Sequence, residues 1–371
     1  RHNSATSDAI TTAADGTCTA KITGRTGGGG LSNRNLIING AMQIAQRGTS
    51  STASGFGSVD RFAVFHGNVS EAPTQSQSDV GLSDLPFTEQ GITKCLKVTN
   101  GNQTSTDNND YIEINYKCEA QDIRNSGWKY NSSSSFITLS YYVRSSVAQT
   151  FTAWITNRDG TRKNFVWSYA LSANTWTKIT KVIPGDSGLT INNDNGAAIE
   201  IWWQQYYGTS YTSASPPGHN TGSWVNHPAD NLTVLNNTAT WYETNDATFE
   251  ITGVQLEVGN HATSFEHRSV ADELARCQRY YEETYVMTDA GNSYVRVPVL
   301  WKVEKRAAGT PVSYAKRPDG VGTGAANKAY QANGERDAVC NYSWTGGTML
   351  FVSGYSQNYD TFGNIRVSAE L

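Results

Sequence analysis

The side chains of this chain best suited to meeting a ligand are aromatic rings set among amides and hydroxyls. The run IEIWWQQYYGTSY extends from Ile199 to Tyr211, and Trp224, Trp241 and Tyr242 follow it. Consecutive side chains of a strand face opposite ways, so Trp202 and Trp203 cannot both enter a core. One of them must face outward, and so must one of Tyr206 and Tyr207. Flat exposed rings beside Asn, Gln and Thr suit a sugar, whose C–H face stacks while its hydroxyls are hydrogen-bonded. Trp202, Trp203, Tyr206, Tyr207, Tyr211 and Trp224 are therefore the glycan-binding candidates. The alternative is that the outward rings pack against a neighbouring subunit or a covering loop.

Other chemistry finds little support. The sequence holds no G-x-S-x-G, no H-E-x-x-H and no glycine-rich loop placed to cradle phosphate. Glu266-His267 reads as a hydrogen-bonded joint rather than a catalytic pair. Asn192 to Gly196 (NNDNG) lacks the regular acidic spacing of a calcium loop and reads as a polar turn. Hydrolysis of a glycosidic bond needs two carboxylates across a cleft, and nothing singles out a pair among the 33 acids. Cys18, Cys95, Cys118, Cys277 and Cys340 are scattered, without a C-x-x-C pair, and read as small buried hydrophobes of a protein assembled in a reducing compartment. Asn-x-Ser/Thr sequons at Asn68, Asn102, Asn131, Asn231, Asn236 and Asn341 are what chance supplies in so Asn-, Ser- and Thr-rich a chain. The expectation is a binding protein without catalytic residues, cofactor or metal.

The elements that must position these rings are strands. The 371 residues suffice for two or three domains with real cores. Net charge is −4 and only 17% of residues are charged, so no cationic surplus advertises nucleic acid or an anionic membrane as partner. No window offers the roughly 20 apolar residues of a membrane span, and RHNSATSDAI does not read as a signal peptide. Residues 1–30 form a polar lead ending in the Gly27–Gly30 run, too poor in apolar surface to fold alone. Residues 31–260 read as one antiparallel sandwich of jelly-roll type. Its expected strands include Leu36–Ile38, Val59–Phe65, Ile92–Thr99, Tyr111–Tyr116, Phe136–Arg144, Thr150–Thr156, Lys163–Ala170, Trp176–Ile183, Ala197–Tyr207 and Phe249–Val258. Asp159-Gly160 marks a hairpin turn. Residues 285–371 read as a smaller β-sandwich or barrel, with strands expected at Ser293–Glu304, Pro311–Ala315, Ala338–Trp344, Thr348–Ser353 and Asn364–Leu371. The fold class is all-β, with one short helix between the two β units.

That joint, residues 261–284, is prepared by the strand before it. Phe249 and Ile251 carry the apolar face, the phase slips at Gly253, and Val254, Leu256 and Val258 carry it onward, the mark of a β-bulge. Gly259 ends the strand. Ser269 is the expected N-cap and Asp272 its partner at the third helical position. Val270, Leu274, Cys277 and Tyr281 form one amphipathic stripe, leaving Arg276, Arg279 and Tyr280 to meet a neighbour.

These segments also carry a resemblance. GVQLEVG, ATSFEHRS and ELARCQRYYE resemble a stretch found in bacteriophage virion proteins, mostly tail-fibre-like ones. NRNLIINGAMQIAQRGTS (Asn33 to Ser50) and DRF (Asp60 to Phe62) are similar to the opening of the carbohydrate-binding-like sandwich of such proteins. WKVEKRAAGTP (Trp301 to Pro311) and SAEL (Ser368 to Leu371) resemble their closing domain. The resemblance implies a virion fibre protein that attaches to the host surface through glycan. It also implies a homotrimer joined to other virion proteins through its N-terminal side. The rival expectations are a structural virion component that binds only other virion proteins, and a polysaccharide depolymerase.

Overall fold

Apolar–polar alternation along ten-residue stretches, broken by Gly, Pro and Asn, dictates antiparallel strands with one buried face. In the computed structural model the described residues are 10–12, 18–20, 33–228, 234–236, 239–289, 294–300, 302–306, 310–314, 327–332, 337–343 and 360–370. Two six-stranded sheets form the sandwich. The front sheet runs Val225–Asn226, Lys163–Leu171, Gln149–Asn157, Ala197–Tyr207, Tyr111–Glu119, Phe62–Gly67. The back sheet runs Thr177–Pro184, Phe136–Ser145, Thr248–Val258, Lys94–Thr99, Thr74–Asp79, Ser50–Ser51. Neighbouring strands within both sheets are antiparallel. Phe62, Ile114, Tyr141, Phe151, Trp203 and Leu256 are among the residues that fill the space between them. Gly160 turns the hairpin at φ +65°, as the Asp-Gly pair predicts.

The expected strand at Leu36–Ile38 is instead irregular chain leading into a turn. Two asparagines claim its backbone. Asn35 Oδ1 accepts the Ile37 and Leu256 amides at 3.0 and 3.1 Å, and Asn39 holds the Ile44 amide at 2.9 Å and sits at φ +62°. Such local side-chain bonds displace ladder pairing. The segment is nonetheless fixed, because it plugs the bulge. Gly253 adopts φ +61° where the pairing with Phe136–Ser145 shifts register between Thr252 and Gln255. The Val254 amide donates to Gly40 O at 2.9 Å, and Val254 O accepts from Asn35 Nδ2 at 3.1 Å. Gly40 approaches so closely that an added Cβ would stand 2.1 Å from Val254 O.

The joint helix spans Val270–Gln278, with Ser269 Oγ accepting the Asp272 amide at 3.1 Å. Its buried stripe differs from the expected one. Val270 is 62% exposed, while Cys277 and Tyr280, with Leu274, pack on Ile38 and Ile44. The helix stops at Gln278 and Tyr281 opens the next strand, where it is buried as expected, with Tyr280 buried beside it. The three residues expected to meet a neighbour are engaged within the chain. Arg276 donates to Asn33 at 2.7 Å, Arg279 grips Glu119 through bonds of 2.8 and 2.9 Å, and Tyr280 donates to Glu119 at 2.6 Å.

Among the described residues beyond the helix are two three-stranded antiparallel sheets. One orders Tyr281–Asp289, Asp360–Ser368, Thr310–Tyr314, and the other Tyr294–Leu300, Asp337–Ser343, Asn327–Ala332. The strand expected at Thr348–Ser353 and the Gly27–Gly30 run lie outside the described residues. Charged pairs tie this unit to the sandwich. Arg61 is buried at φ +72°, its guanidinium 3.4 Å from the Tyr280 ring centre and ion-paired to Glu370. Arg306 bridges the two, donating to Ala369 O and to Asn195 O of the sandwich, each at 2.7 Å, while Lys305 and Glu282 form a buried pair at 2.5 Å within the unit. In the lead, Ile10–Thr12 pairs antiparallel with Cys18–Ala20.

Candidate ligand-binding site

The central strand of the front sheet, Ala197–Tyr207, decides which rings are offered. Ile199, Ile201 and Trp203 point into the core, Trp203 at 0% exposure. Glu200, Trp202 and Gln204 therefore face the outside of the sheet. The pairing with Tyr111–Glu119 then shifts register between Gln204 and Tyr206. That bulge puts Tyr206 inward, opposite the core residue Ile112 and stacked on Tyr242 at 3.9 Å, and it puts Tyr207 outward, opposite Tyr111.

The outer face so formed holds a cavity of about 290 Å³ lined by Phe65, Tyr111, Glu113, Tyr207 and Tyr211. The rings stand at angles rather than in a stack. Tyr111 meets Tyr211 edge-on at 5.8 Å, and Tyr207 is tilted against Tyr211 at 5.5 Å. Behind Tyr207 lies a stacked pair, Trp154 and Trp202, at 5.8 Å and 10° between planes. Val166 and Val234 pack on that pair.

Glu113 is the polar centre of the cavity. It pairs with Phe65 on one neighbouring strand and with Gln204 on the other. Only 6% of it is exposed, and its Oε2 accepts the Tyr207 hydroxyl. Burial pushes its carboxyl up to about 8, outweighing the Tyr207 bond, and nearby Glu200 adds to the rise. Burial and Glu113 together hold the Tyr207 phenol well above its usual range. At neutral pH the pair is thus mainly uncharged. Glu200, also on this face, differs in kind: Lys117 and Arg158 stand 3.4 and 3.6 Å from its oxygens.

Of the six aromatic candidates, Tyr207 and Tyr211 line the cavity and Trp202 lies behind it, half-buried. Trp203 and Tyr206 belong to the core, where stacking on a ligand is closed to them. Trp224 is buried at the sheet edge, donating to Pro184 O at 2.7 Å and packing edge-on against Phe165. Phe65, Tyr111, Glu113 and Trp154 were not singled out from the sequence. The alternation Tyr111-Ile112-Glu113-Ile114-Asn115 does announce an outward Tyr–Glu–Asn row.

The remaining polar motifs are structural. Glu266 accepts the Asn35 amide at 2.7 Å and pairs with Arg268 at 3.2 Å, while His267 bonds Gln90 O at 2.5 Å. Burial alone would raise the Glu266 carboxyl, but backbone amides and Arg268 bring it below its usual range. In the 192–196 turn, Asn192 bonds Asp159 through its amide and side chain, and Asp194 accepts the Gly196 amide. Among the described residues no cluster of His, Cys, Asp and Glu could hold a metal. Cys95, Cys118 and Cys277 are free and buried.

No family model matches this chain, and neither does any curated protein. Several solved structures align with it in part. A family 11 carbohydrate-binding module from Clostridium thermocellum, in complex with a β-1,3-1,4-mixed-linked tetrasaccharide, is 13% identical over 59% of this chain and 98% of its own, at a TM-score of 0.27. The N-terminal cellulose-binding domain of Cellulomonas fimi β-1,4-glucanase C is 9% identical over 59% and 99%, at 0.29. A structure described as a sugar-binding protein of Bacteroides thetaiotaomicron is 10% identical over 60% and 99%, at 0.30. Likeness at this level carries no ligand to this chain, whose site stands on its own residues.

Proposed function

We propose that this chain is a fibre-type virion protein of a bacteriophage that attaches to host-surface glycan through the Tyr111–Tyr207–Tyr211 cavity. One observation carries the glycan reading. Four aromatic side chains surround a hydrogen-bonding carboxyl on the outer face of a sheet, in a cavity of about 290 Å³. That volume is at the low end of the roughly 300–1,000 Å³ typical of small-molecule sites. The virion reading rests on the segments that resemble tail-fibre-like proteins. A homotrimer is part of the proposal: a two-stranded hairpin such as Ile10–Thr12 with Cys18–Ala20 is marginal by itself and gains from association.

The test is Tyr211→Ala in the full chain. Tyr211 is half-buried at the mouth of the cavity, so its loss leaves the core between the sheets intact. Binding to host cells and to a glycan array should fall by at least about tenfold, the loss of one good aromatic contact, with the melting temperature nearly unchanged. Unchanged binding would refute this site. Release of reducing ends from host polysaccharide would replace attachment by hydrolysis.

A further inference from the structure

The chemistry of the cavity wall narrows the ligand. Its five lining residues are three phenols, one phenyl ring and one carboxyl, with no cation among them. Beside Glu113 the same face of the sheet continues in uncharged polar groups that are themselves buried and do not line the cavity. Gln204 lies directly opposite Glu113 in the strand register, is 0% exposed, and has neither amide atom partnered. Two residues along, Asn115 pairs with Trp202, and Asn115 Oδ1 and the Trp202 indole N–H are likewise unpartnered. The cations of this face sit elsewhere. Lys117 and Arg158 flank Glu200, and Arg162 is near Glu200 and Tyr207 without lining the cavity.

From this arrangement, and resting on the glycan reading above, we infer that the cavity is selective for neutral sugar residues. The cation-free wall excludes acidic ones, and Glu113 strengthens that exclusion once it ionises. A hydroxyl-bearing sugar edge can donate to and accept from Glu113 and the phenols beside it, and its C–H face can lie on Tyr111 or Tyr211. A uronate carboxylate would enter a space with no cation on its wall, Arg162 standing behind Tyr207, and a buried charge without a direct partner is strongly disfavoured. The exclusion has a pH signature. Around Glu113 stand the phenols of Tyr111, Tyr207 and Tyr211 and, farther along the face, Glu200 with its cations. Burial pushes the Glu113 carboxyl up to about 8, so its repulsion of a uronate is small at pH 6.5 and grows as the pH rises through that value.

Calorimetric titration of the full chain tests this with glucose, galactose and N-acetylglucosamine tetrasaccharides against galacturonate and glucuronate tetramers. At pH 6.5 the best neutral probe should bind at least tenfold more tightly than either acidic one. At pH 9.5 that ratio should widen by a further factor of about ten in the wild type and stay within twofold in Glu113→Gln. Tyr211→Arg, which brings a cation to the mouth, should shrink the ratio at both values. Acidic tetramers that bind within threefold of neutral ones, with binding lost in Tyr211→Ala, would overturn the selectivity while leaving the glycan site standing. A ratio with the same pH dependence in Glu113→Gln would remove Glu113 from that role. Binding of neither class would overturn the glycan reading itself and the inference with it.

Discussion

Replacing Glu113 by Gln should make the protein more stable in alkaline solution and change little in acid. In the unfolded chain the carboxyl titrates near 4.5, whereas burial raises it to about 8 in the folded protein. Between those values the folded state holds a proton that the unfolded state has released. Stability therefore falls as pH rises through that window, at up to about 1.4 kcal/mol per pH unit. Across the window the loss amounts to roughly 3–5 kcal/mol, the lower figure allowing for water entering the cavity. Glutamine keeps an oxygen for the Tyr207 hydroxyl to donate to and has no proton to lose. The assay is denaturant unfolding of both proteins, followed by tryptophan fluorescence from pH 5 to pH 9.5. The free-energy difference between them should grow in favour of Glu113→Gln from pH 5 to pH 8 and level off above about 8.5. Other titrating groups, Asp60 among them, are common to both chains and cancel in the difference. A difference that stays constant over the whole range would refute the buried-acid account of the cavity.

Three further outcomes are expected. Gly253→Val should lower stability by roughly 3 kcal/mol, combining a left-handed backbone with a Cβ placed 2.8 Å from Ile92 and 2.9 Å from Tyr142; a melting temperature within error of wild type would defeat the bulge argument. Gly40→Ala should cost at least about 2 kcal/mol, because the methyl meets the Val254 carbonyl of the back sheet rather than a yielding side chain, and thermal unfolding reads it directly. Light scattering at micromolar concentration should give a species near three times the 40.4 kDa chain mass, and deleting residues 1–30 should weaken it without unfolding the sandwich. A single species of chain mass would dismiss the trimer.

The fold was legible wherever one face of a strand is buried, since alternation then writes itself into the residues. Ala197–Tyr207 was readable to its ends, and Phe136–Ser145, Gln149–Asn157 and Lys163–Leu171 to within a residue or so. Thr74–Asp79 was not, because TQSQSD is polar at every position and pairs near the sheet's edge, where no alternation is demanded. Leu36–Ile38 misled for the opposite reason: three apolar residues in a row look like a strand, but Asn35 and Asn39 hold the backbone in turns. The site was half legible. Alternation requires one ring of each adjacent pair to face outward, yet the choice of Tyr207 over Tyr206 depends on a bulge without a glycine to announce it. Contrast Gly253, where a glycine marks the slip. Glu113 could not be told from the other acids, since its distinction is burial beside Tyr207 and Tyr211, a matter of three dimensions.

The strings that resemble tail-fibre-like proteins all fall on the framework. NRNLIINGAMQ and GVQLEVG meet at the bulge, where Gly40 and Asn35 satisfy the Val254 backbone. DRF and SAEL meet through the Arg61–Glu370 pair, and WKVEKRAAG joins ELARCQRYYE through Lys305 and Glu282. Such contacts tolerate little change. A methyl at Gly40 has no room, and removing one partner of a buried ion pair strands the other charge, at a cost of about 3–5 kcal/mol. Long strings of particular residues are therefore needed to build them. The cavity is assembled differently, from alternate residues of three strands plus Tyr211, and Phe65, Tyr111, Glu113, Tyr207 and Tyr211 belong to none of those strings. Its walls stand on the outer face of the sheet, away from the core between the two layers, so exchanging them leaves the contacts that join those strings in place. The resemblance is thus carried by the framework, and the five side chains of the cavity lie outside it.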